Sequence, residues 1–417
     1  MSQITDDCFA FGSPLLQAAA ALQIICDRTP AVTGFETRSL AQAQGHVIAD
    51  EVKALSASPP HDNAAVDGYA LRSGDLAATG ETSLRVAGRV PAGAAESPAV
   101  SPGTCARIFT GAPMPTDADT VVMQEDVRLE GGTIHFPPGL KDGANRRRAG
   151  EDIQTGSTLL QAGTRLTPPH LALAAAGGLS DLPVRRRPTV ALLSTGDEIR
   201  APGEPLVPGA VFDANAPLLL GLCQRLGLPV THLGIIPDDP AATRAALERA
   251  AEADLILTSG GASTGDEDHV RAAVSDLGAI HLWRLAIKPG RPLAFGHVKG
   301  TAFAGLPGNP VAVMACFLMF VRPLLDRLEG ATVRPLIRWP VRAGFDMTSK
   351  ADRLEWLRGT LSVTQDGDLV AQRYPRQGSG IIHSLTDSDG LIEIPEQMTT
   401  VRAGDRLGFI SFREAMA

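Results

Sequence analysis

Aromatic side chains make up only 4% of the 417 residues, too few to build a base-stacking surface. Cysteine is also scarce. The five, Cys8, Cys26, Cys105, Cys223 and Cys316, are odd in number and widely spaced, and no C-x-x-C occurs. That excludes a disulfide framework or a zinc knuckle and fits a reducing cytosol, with the thiols read as small buried hydrophobes. The nine histidines form no H-E-x-x-H pair, which argues against a zinc hydrolase. Positive charge is in deficit: 38 Lys and Arg face 46 Asp and Glu, a net charge of −8. A chain so balanced does not coat nucleic acid or an anionic membrane. Its longest apolar run, Val311 to Val321, is eleven residues, which reads as a buried helix and not a membrane span. The N-terminus is acidic and lacks the basic start and apolar run of a signal peptide. A cytoplasmic location is expected.

What the chain does have is backbone-built loop material, with 43 Gly and 31 Pro. Hydrophobic residues at 44% can bury real cores, and the length predicts two to four domains. Residues 14–55 read as helical, with Leu15, Leu16, Ala19, Leu22 and Ile25 in phase and a second helix capped by Ser39 and carrying Leu40, Ala43, Val47 and Ile48. Residues 56–148 change to short apolar bursts among Gly, Pro and Thr, a small β domain. TPPHLALAAAGGL reads as a helix opened by prolines and closed by Gly177 and Gly178.

After Arg185-Arg186-Arg187-Pro188, a hinge, strands and helices alternate. VALLST, LPVTHLGII, DLILTS and AIHLWRLAI read as strands, with helices between them. That rhythm predicts a parallel sheet covered on both faces. LAFGHV and AFAGL follow as two further strands. Asn309 and Pro310 then open a last helix, which Pro323 should kink or end. Beyond residue 331 the texture is β again, with Asp366-Gly367 as a hairpin turn.

In an open α/β sheet, ligands bind beyond the carboxyl ends of the strands. Four loops fall there: Ser194-Thr195-Gly196-Asp197-Glu198, Ser259 through Asp266, Lys288-Pro289-Gly290-Arg291 and Pro307-Gly308-Asn309-Pro310. SGGASTGD, with Ser259, Gly260, Gly261, Ser263, Gly265 and Asp266, offers open N–H groups and hydroxyls to a phosphate; it is equally readable as a plain strand-to-helix turn. It is neither a Walker loop nor a dinucleotide fingerprint. Lys288 and Arg291 can grip an oxyanion or stand as a solvated pair. Asp197, Glu198, Asp238, Asp239, Asp266, Glu267 and Asp268 crowd the same edge, where they suit either Mg²⁺ or helix caps. Asp238-Asp239-Pro240 has the look of a cap. Outside the sheet, PHDNAAVDGYA and the Arg146-Arg147-Arg148 run stand out, the latter as a solvated face or an anion-facing edge.

PPHDNAAVDGYA, RIFTGAPMPTDADTVVMQED, NRRRAGEDI, LSTGDEI, TSGGASTGD, LAIKPGRP and GLPGNP occur in that order. Together they resemble the molybdopterin molybdenumtransferase family, the MoeA-type proteins, similar to the gephyrin E domain. The resemblance runs from about residue 14 to 413. It implies a multidomain α/β plus β architecture, divided into an elongated helical and β linker domain (1–55 with 149–186), an inserted small β domain (56–148), a central parallel α/β domain like the single-domain molybdopterin adenylyltransferases of MogA type (187–330), and a C-terminal barrel-like β domain (331–417). It also implies a homodimer that inserts molybdenum from molybdate into adenylylated molybdopterin, releases AMP and uses Mg²⁺. The cleft would lie between the central domain of one subunit and the small β domain of the other.

Carried over by position, the family's reacting residues fall on Asp67, Thr110, Asp152, Glu198, Asp238, Asp239 and Asp268, with Asp238, Asp239 and Asp268 as Mg²⁺ ligands. Anion-binding positions fall on Lys288, Gly290, Arg291, Gly308, Asn309, Arg353 and Ser379. The family often carries Ser where Ala312 stands, so molybdate must find other donors here. Protein partners allowed by the resemblance are the adenylyltransferase and molybdoenzyme maturation factors. Two alternatives accompany this reading: an adenylyltransferase, which makes the pterin nucleotide instead of consuming it, and a gephyrin-like scaffold.

Overall fold

The computed structural model describes residues 15–32, 34–95, 97–260, 269–282 and 284–416. Near the N-terminus, helix Ala18–Arg28 buries Ala18, Ala21 and Ile25 against the core of the central sheet. Strand Phe35–Ser39 pairs antiparallel with Asp181–Arg185, and Val52–Lys53 with Thr158–Leu160. The helix expected from Ser39 does not form. Gly45 takes φ +76°, Leu40 N donates to Ser180 O, and Val47 and Ile48 extend into bridges with Arg165 and Val184. The helical spacing there reflects burial of Ala43, Val47 and Ile48 from a turn. The Pro168–Ala176 helix forms as read, with Gly177 at its C-cap.

Residues 63–147 hold a six-stranded sheet in the order Thr120–Met123, Gly68–Leu71, Thr104–Ile108, Thr82–Val90, Thr133–Phe136, Arg128–Glu130. Apolar clusters cover both its faces, one around Ile108 and Val121, the other around Leu71 and Ile134.

The central sheet runs Val230–Ile236, Val190–Thr195, Leu255–Ser259, Thr301–Leu306, Ala294–Val298, Gly278–Leu282. Its first four strands are parallel. These are the parallel sheet expected from the alternation of strands and helices, and at the other edge the last two pairings are antiparallel. The cause is local. Lys299 (φ 50°) and Gly300 (φ 88°) form a two-residue turn between Val298 and Thr301, and so short a link only joins antiparallel neighbours. Alternation along Val190–Thr195 explains the two-sided burial: Val190 and Leu192 face one apolar cluster, Ala191 and Leu193 the other.

AIHLWRLAI is not one strand. Trp283 lies outside the described residues, and Arg284 sits at φ 66°, which turns the chain out of the sheet. Ile287–Lys288 then pairs with Leu354–Glu355. Pro323 does not end the helical run, but the α-helix is interrupted just before it. A π-helical turn at Phe317–Val321 precedes Arg322–Glu329, which carries Pro323 in its first turn, where proline is tolerated. Beyond it, strands Leu354–Val363, Leu369–Arg373, Trp339–Ala343, Arg406–Ser411 and Gly390–Ile394 close a barrel, because the first also pairs with the last. The Asp366-Gly367 turn connects the first two, with Gly367 at φ 87°.

Candidate functional site

Where the parallel strands end, four turns converge on a cleft of about 700 Å³. Thr195 ends strand Val190–Thr195, with Gly196 and Glu198 just beyond it; Asp238 follows Val230–Ile236, Gly260 follows Leu255–Ser259, and Pro307, Gly308 and Asn309 follow Thr301–Leu306. Lys288 through Pro292 and Ala312 continue the wall. The barrel supplies the opposite side: Glu355, Trp356, Leu357 and Arg358 from one strand, and Gln377, Gly378 and Ser379 from a loop.

Glycine is required at two of these turns. Gly260 has φ +88°, and a Cβ there would sit 2.7 Å from Thr195 O. Gly196 has φ +137°, and a Cβ would meet Glu198 Oε2 at 2.5 Å. The absent side chain lets the Glu198 carboxylate fold back over its own loop. Behind the wall, Asp213 accepts from Ser194 Oγ (2.6 Å) and from the N–H groups of Asn215 and Ala216 (both 3.0 Å). Asn215 Nδ2 donates to Gly308 O at 2.7 Å, which anchors the Gly308 turn. Asp197 and Asp238 lock their loops together, each N–H donating to the other's carboxylate at 3.1 and 3.0 Å.

The cations are not equivalent. Lys288 stands opposite Glu355 in the strand pairing, and its Nζ donates to Glu355 Oε1 at 2.5 Å. Arg353 Nη2 reaches Glu355 Oε2 at 3.0 Å, and Ser349 Oγ donates to that oxygen at 3.1 Å. Burial alone would raise the Glu355 carboxyl, but the Lys288 bond and charge, the Ser349 hydroxyl and the Arg353 charge outweigh it and hold it below the usual range. Arg358 is buried at 1% exposure. Its Nε donates to Ser384 Oγ (2.9 Å) and its Nη2 to Gly378 O (3.1 Å), and it forms no ion pair among the described residues. Burial pushes its guanidinium down to about 10, with Glu355 opposing. Arg291 is exposed and has no side-chain partner among the described residues. Val311 N donates to Ser379 O at 3.1 Å, which ties the barrel loop to the helix opened by Pro310.

Of the residues singled out from sequence, the cleft therefore gathers Thr195, Gly196, Glu198, Asp238, Gly260, Lys288, Gly290, Arg291, Pro307, Gly308, Asn309 and Ser379. Ser194 and Ser259 are buried behind it, because the strand pleat turns them into the core. Pro310 opens its helix, Arg353 is held by Glu355, and Asp239 caps the Pro240–Ala250 helix through Ala242 N at 2.7 Å. None of these lines the cleft. Gly261, Ser263, Gly265, Asp266 and Asp268 lie outside the described residues. Asp67 and Thr110 do meet, on the small sheet: Thr110 N and Oγ1 each donate to Asp67 Oδ1 at 2.8 Å, and these bonds lower its carboxyl. Beside them the Arg107 guanidinium lies over the rings of Tyr69 and Phe109, at 5.1 and 4.9 Å. Asp152 follows the Gly150 turn and is exposed. Neither Asp67, Thr110 nor Asp152 lines the cleft of its own chain.

Sequence reasoning missed Glu355, Arg358 and Gln377. Charged residues inside the apolar strand LEWLRG were the available signal, since a buried charge there needs a reason. Among the described residues no three His, Cys, Asp or Glu side chains converge as a metal cage, and no helix is long and apolar enough to cross a membrane.

Three family models match in series: the MoeA N-terminal region (domain I and II) over residues 16–178, a probable molybdopterin binding domain over 191–327, and the MoeA C-terminal region (domain IV) over 340–412. Molybdopterin molybdenumtransferase of Haemophilus influenzae is 34% identical over 393 residues, covering 94% of this chain and 97% of that one. Molybdopterin molybdenumtransferase 2 of Mycobacterium tuberculosis is 36% identical over 385 residues, covering 89% and 93%. The crystal structure of a molybdopterin biosynthesis moeA protein from Pyrococcus horikoshii superposes with a TM-score of 0.82 at 30% identity, covering 95% of this chain and all of that one. Matched over most of its length by sequence and by fold, the chain belongs to the MoeA family.

Proposed function

We propose that this chain is a molybdopterin molybdenumtransferase of molybdenum cofactor biosynthesis. It takes molybdate and adenylylated molybdopterin and releases AMP as molybdenum enters the dithiolene. One observation carries the reading: a cleft at the carboxyl ends of parallel strands, walled by glycine turns and faced by Lys288, Arg291 and Arg358, in a chain similar along its length to transferases of that name. The glycine turns admit phosphate oxygens close to the backbone, and the cations bind the oxyanion. Relatives of that activity favour this reading over an adenylyltransferase or a scaffold.

The described carboxylates form no cage for Mg²⁺, yet Mg²⁺ typically sits on one or two carboxylates with substrate phosphates completing its shell. Asp238 and Glu198 on the cleft suit that, and Mg²⁺ bound there would neutralise phosphate charge. Glu198 orients the reacting phosphate. Asp67, held in its ionised form by Thr110, closes the cleft from a second copy of the chain, with Asp152 alongside. The division into units at 1–55 with 149–186, 56–148, 187–330 and 331–417, and a cytoplasmic location, complete the proposal.

Two variants test it. Glu198→Gln and Asp67→Asn should each abolish molybdenum-dependent AMP release. Mixed and allowed to exchange subunits, they should regain activity, because one heterodimer cleft has neither change. Full activity of both single variants refutes the roles; failure to complement refutes the shared cleft. Release of pyrophosphate from ATP and molybdopterin would instead mark an adenylyltransferase.

A further inference from the structure

Glu355 is a buried carboxylate, its side chain 2% exposed, in the wall of a cleft that takes anions under the reading above, on which this inference rests. It spends both oxygens on cations: Oε1 on Lys288 at 2.5 Å, Oε2 on Arg353 at 3.0 Å. Lys288 lines the cleft, and Arg353 stands behind it on the far side of the carboxylate. Ser349 adds a hydroxyl at 3.1 Å, so the carboxylate is fixed rather than swinging.

We infer that Glu355 is a specificity-determining residue of the cleft, a resident counter-ion that holds Lys288 and Arg353 in place and repels the incoming oxyanion in proportion to its charge. An acid at this point has a physical purpose. Set between two cations, one carboxylate offsets part of their charge and leaves the group net positive. The cost falls on the ligand. Coulomb repulsion scales with ligand charge, so a dianion suffers twice the penalty of a monoanion of the same shape. Glu355 thus keeps the binding of dianions weak and reversible.

The charge dependence separates this role from mere support of the fold. Molybdate (a dianion) and perrhenate (a tetrahedral monoanion of similar size) are titrated calorimetrically into the parent protein and into Glu355→Gln, which keeps the acceptor oxygen for Lys288 and removes the charge. Molybdate should bind about tenfold tighter to the variant, and perrhenate only about threefold, the square root of that gain. Glu355→Asp draws the same charge back by one methylene and should give a smaller gain in the same order, which keeps the test alive if the Gln variant folds poorly. Weaker binding, unchanged binding, or an equal factor for both anions overturns the inference. Arg291→Ala distinguishes the underlying reading, since it removes a cleft cation without touching Glu355 and should weaken both anions. If it does not, or if neither the parent nor Glu355→Gln binds molybdate, the anion site itself is wrong.

Discussion

Gly290 separates the two cations of the Lys288–Arg291 turn, and its replacement is the most demanding check on how that turn is built. Its φ is +101°, and a Cβ added there would stand 2.5 Å from Cys316 Sγ. Gly290→Ala therefore carries two costs. Holding a residue with a side chain in that backbone region costs about 1–3 kcal/mol. Driving a methyl into a buried thiol anchored on a helix costs about 1–3 kcal/mol more. Together, ~2–6 kcal/mol is comparable with the ~5–15 kcal/mol that holds a domain folded. The cheaper escape is for the turn to shift, which displaces Lys288 and Arg291. Molybdate affinity should fall at least tenfold, and the urea midpoint should drop. A second substitution separates the two costs. Cys316→Ala removes the obstacle at about 1 kcal/mol for the small void it leaves. In that background Gly290→Ala should cost only the backbone part, a coupling of about 1–3 kcal/mol. Strictly additive effects on urea unfolding would show that the methyl and the thiol never collide, and the packing argument would fail.

Other outcomes follow from the same geometry. Asp254 accepts from Arg186 (2.9 and 3.0 Å) and from Thr189 N and Oγ1 (2.7 and 2.9 Å). Burial opposes ionisation there, but these partners lower its carboxyl below the usual range. A depressed carboxylate stabilises above its unfolded pKa and loses that contribution as pH falls through the folded one. Asp254→Asn should thus cost about 2 kcal/mol at neutral pH, and the gap to the parent should close in acid when urea midpoints are followed downward from pH 5. Arg358→Met deletes a buried cation without orphaning a carboxylate, so the melting temperature should move by only a few degrees while molybdate binding weakens about tenfold in calorimetry. Trp356, 1% exposed, packs edge-on against Phe320 at 6.3 Å and donates to Glu393 at 3.0 Å. Trp356→Ala should cost about 3–5 kcal/mol in urea unfolding. Ala312→Ser places a hydroxyl in the cleft wall and should tighten molybdate binding severalfold in the same titration.

The strand-end turns were legible because each carries its own local signal. Gly196, Gly260 and Gly308 punctuate apolar runs, and the sheet order then brings them to one edge. Asp239 and Pro240 announced their helix for the same reason. The half of the cleft built from the barrel was hidden. Glu355 and Arg358 belong to a strand whose partner, Ile287–Lys288, lies some way back in the chain, and no periodicity reveals that pairing. Reading AIHLWRLAI as one strand concealed it further, since the left-handed turn at Arg284 is what releases Lys288 from the central sheet to face Glu355. The antiparallel edge was missed by the same route: the Lys299-Gly300 turn is short enough to dictate its hairpin, but the apolar strands on either side dominate the pattern.

That hidden pairing also resolves how a chain of net charge −8 presents an anion site. Elsewhere arginines are spent on carboxylates: Arg165 on Asp326 and Glu329, Arg186 on Asp254, Arg338 on Glu393. In the cleft wall, Glu355 serves Lys288 on one side and Arg353 behind it on the other, while Arg291 and Arg358 have no carboxylate within ion-pair distance among the described residues. Glu198, Asp238 and Glu355 match Lys288, Arg291 and Arg358 in number on the cleft wall, so what an anion meets there is cations left without a carboxylate partner, not an excess of basic residues. Arg291 is exposed and screened by salt, whereas Arg358 is buried and acts through a low dielectric. The first therefore governs how fast an anion arrives and the second how firmly it is held, with Glu355 opposing the second.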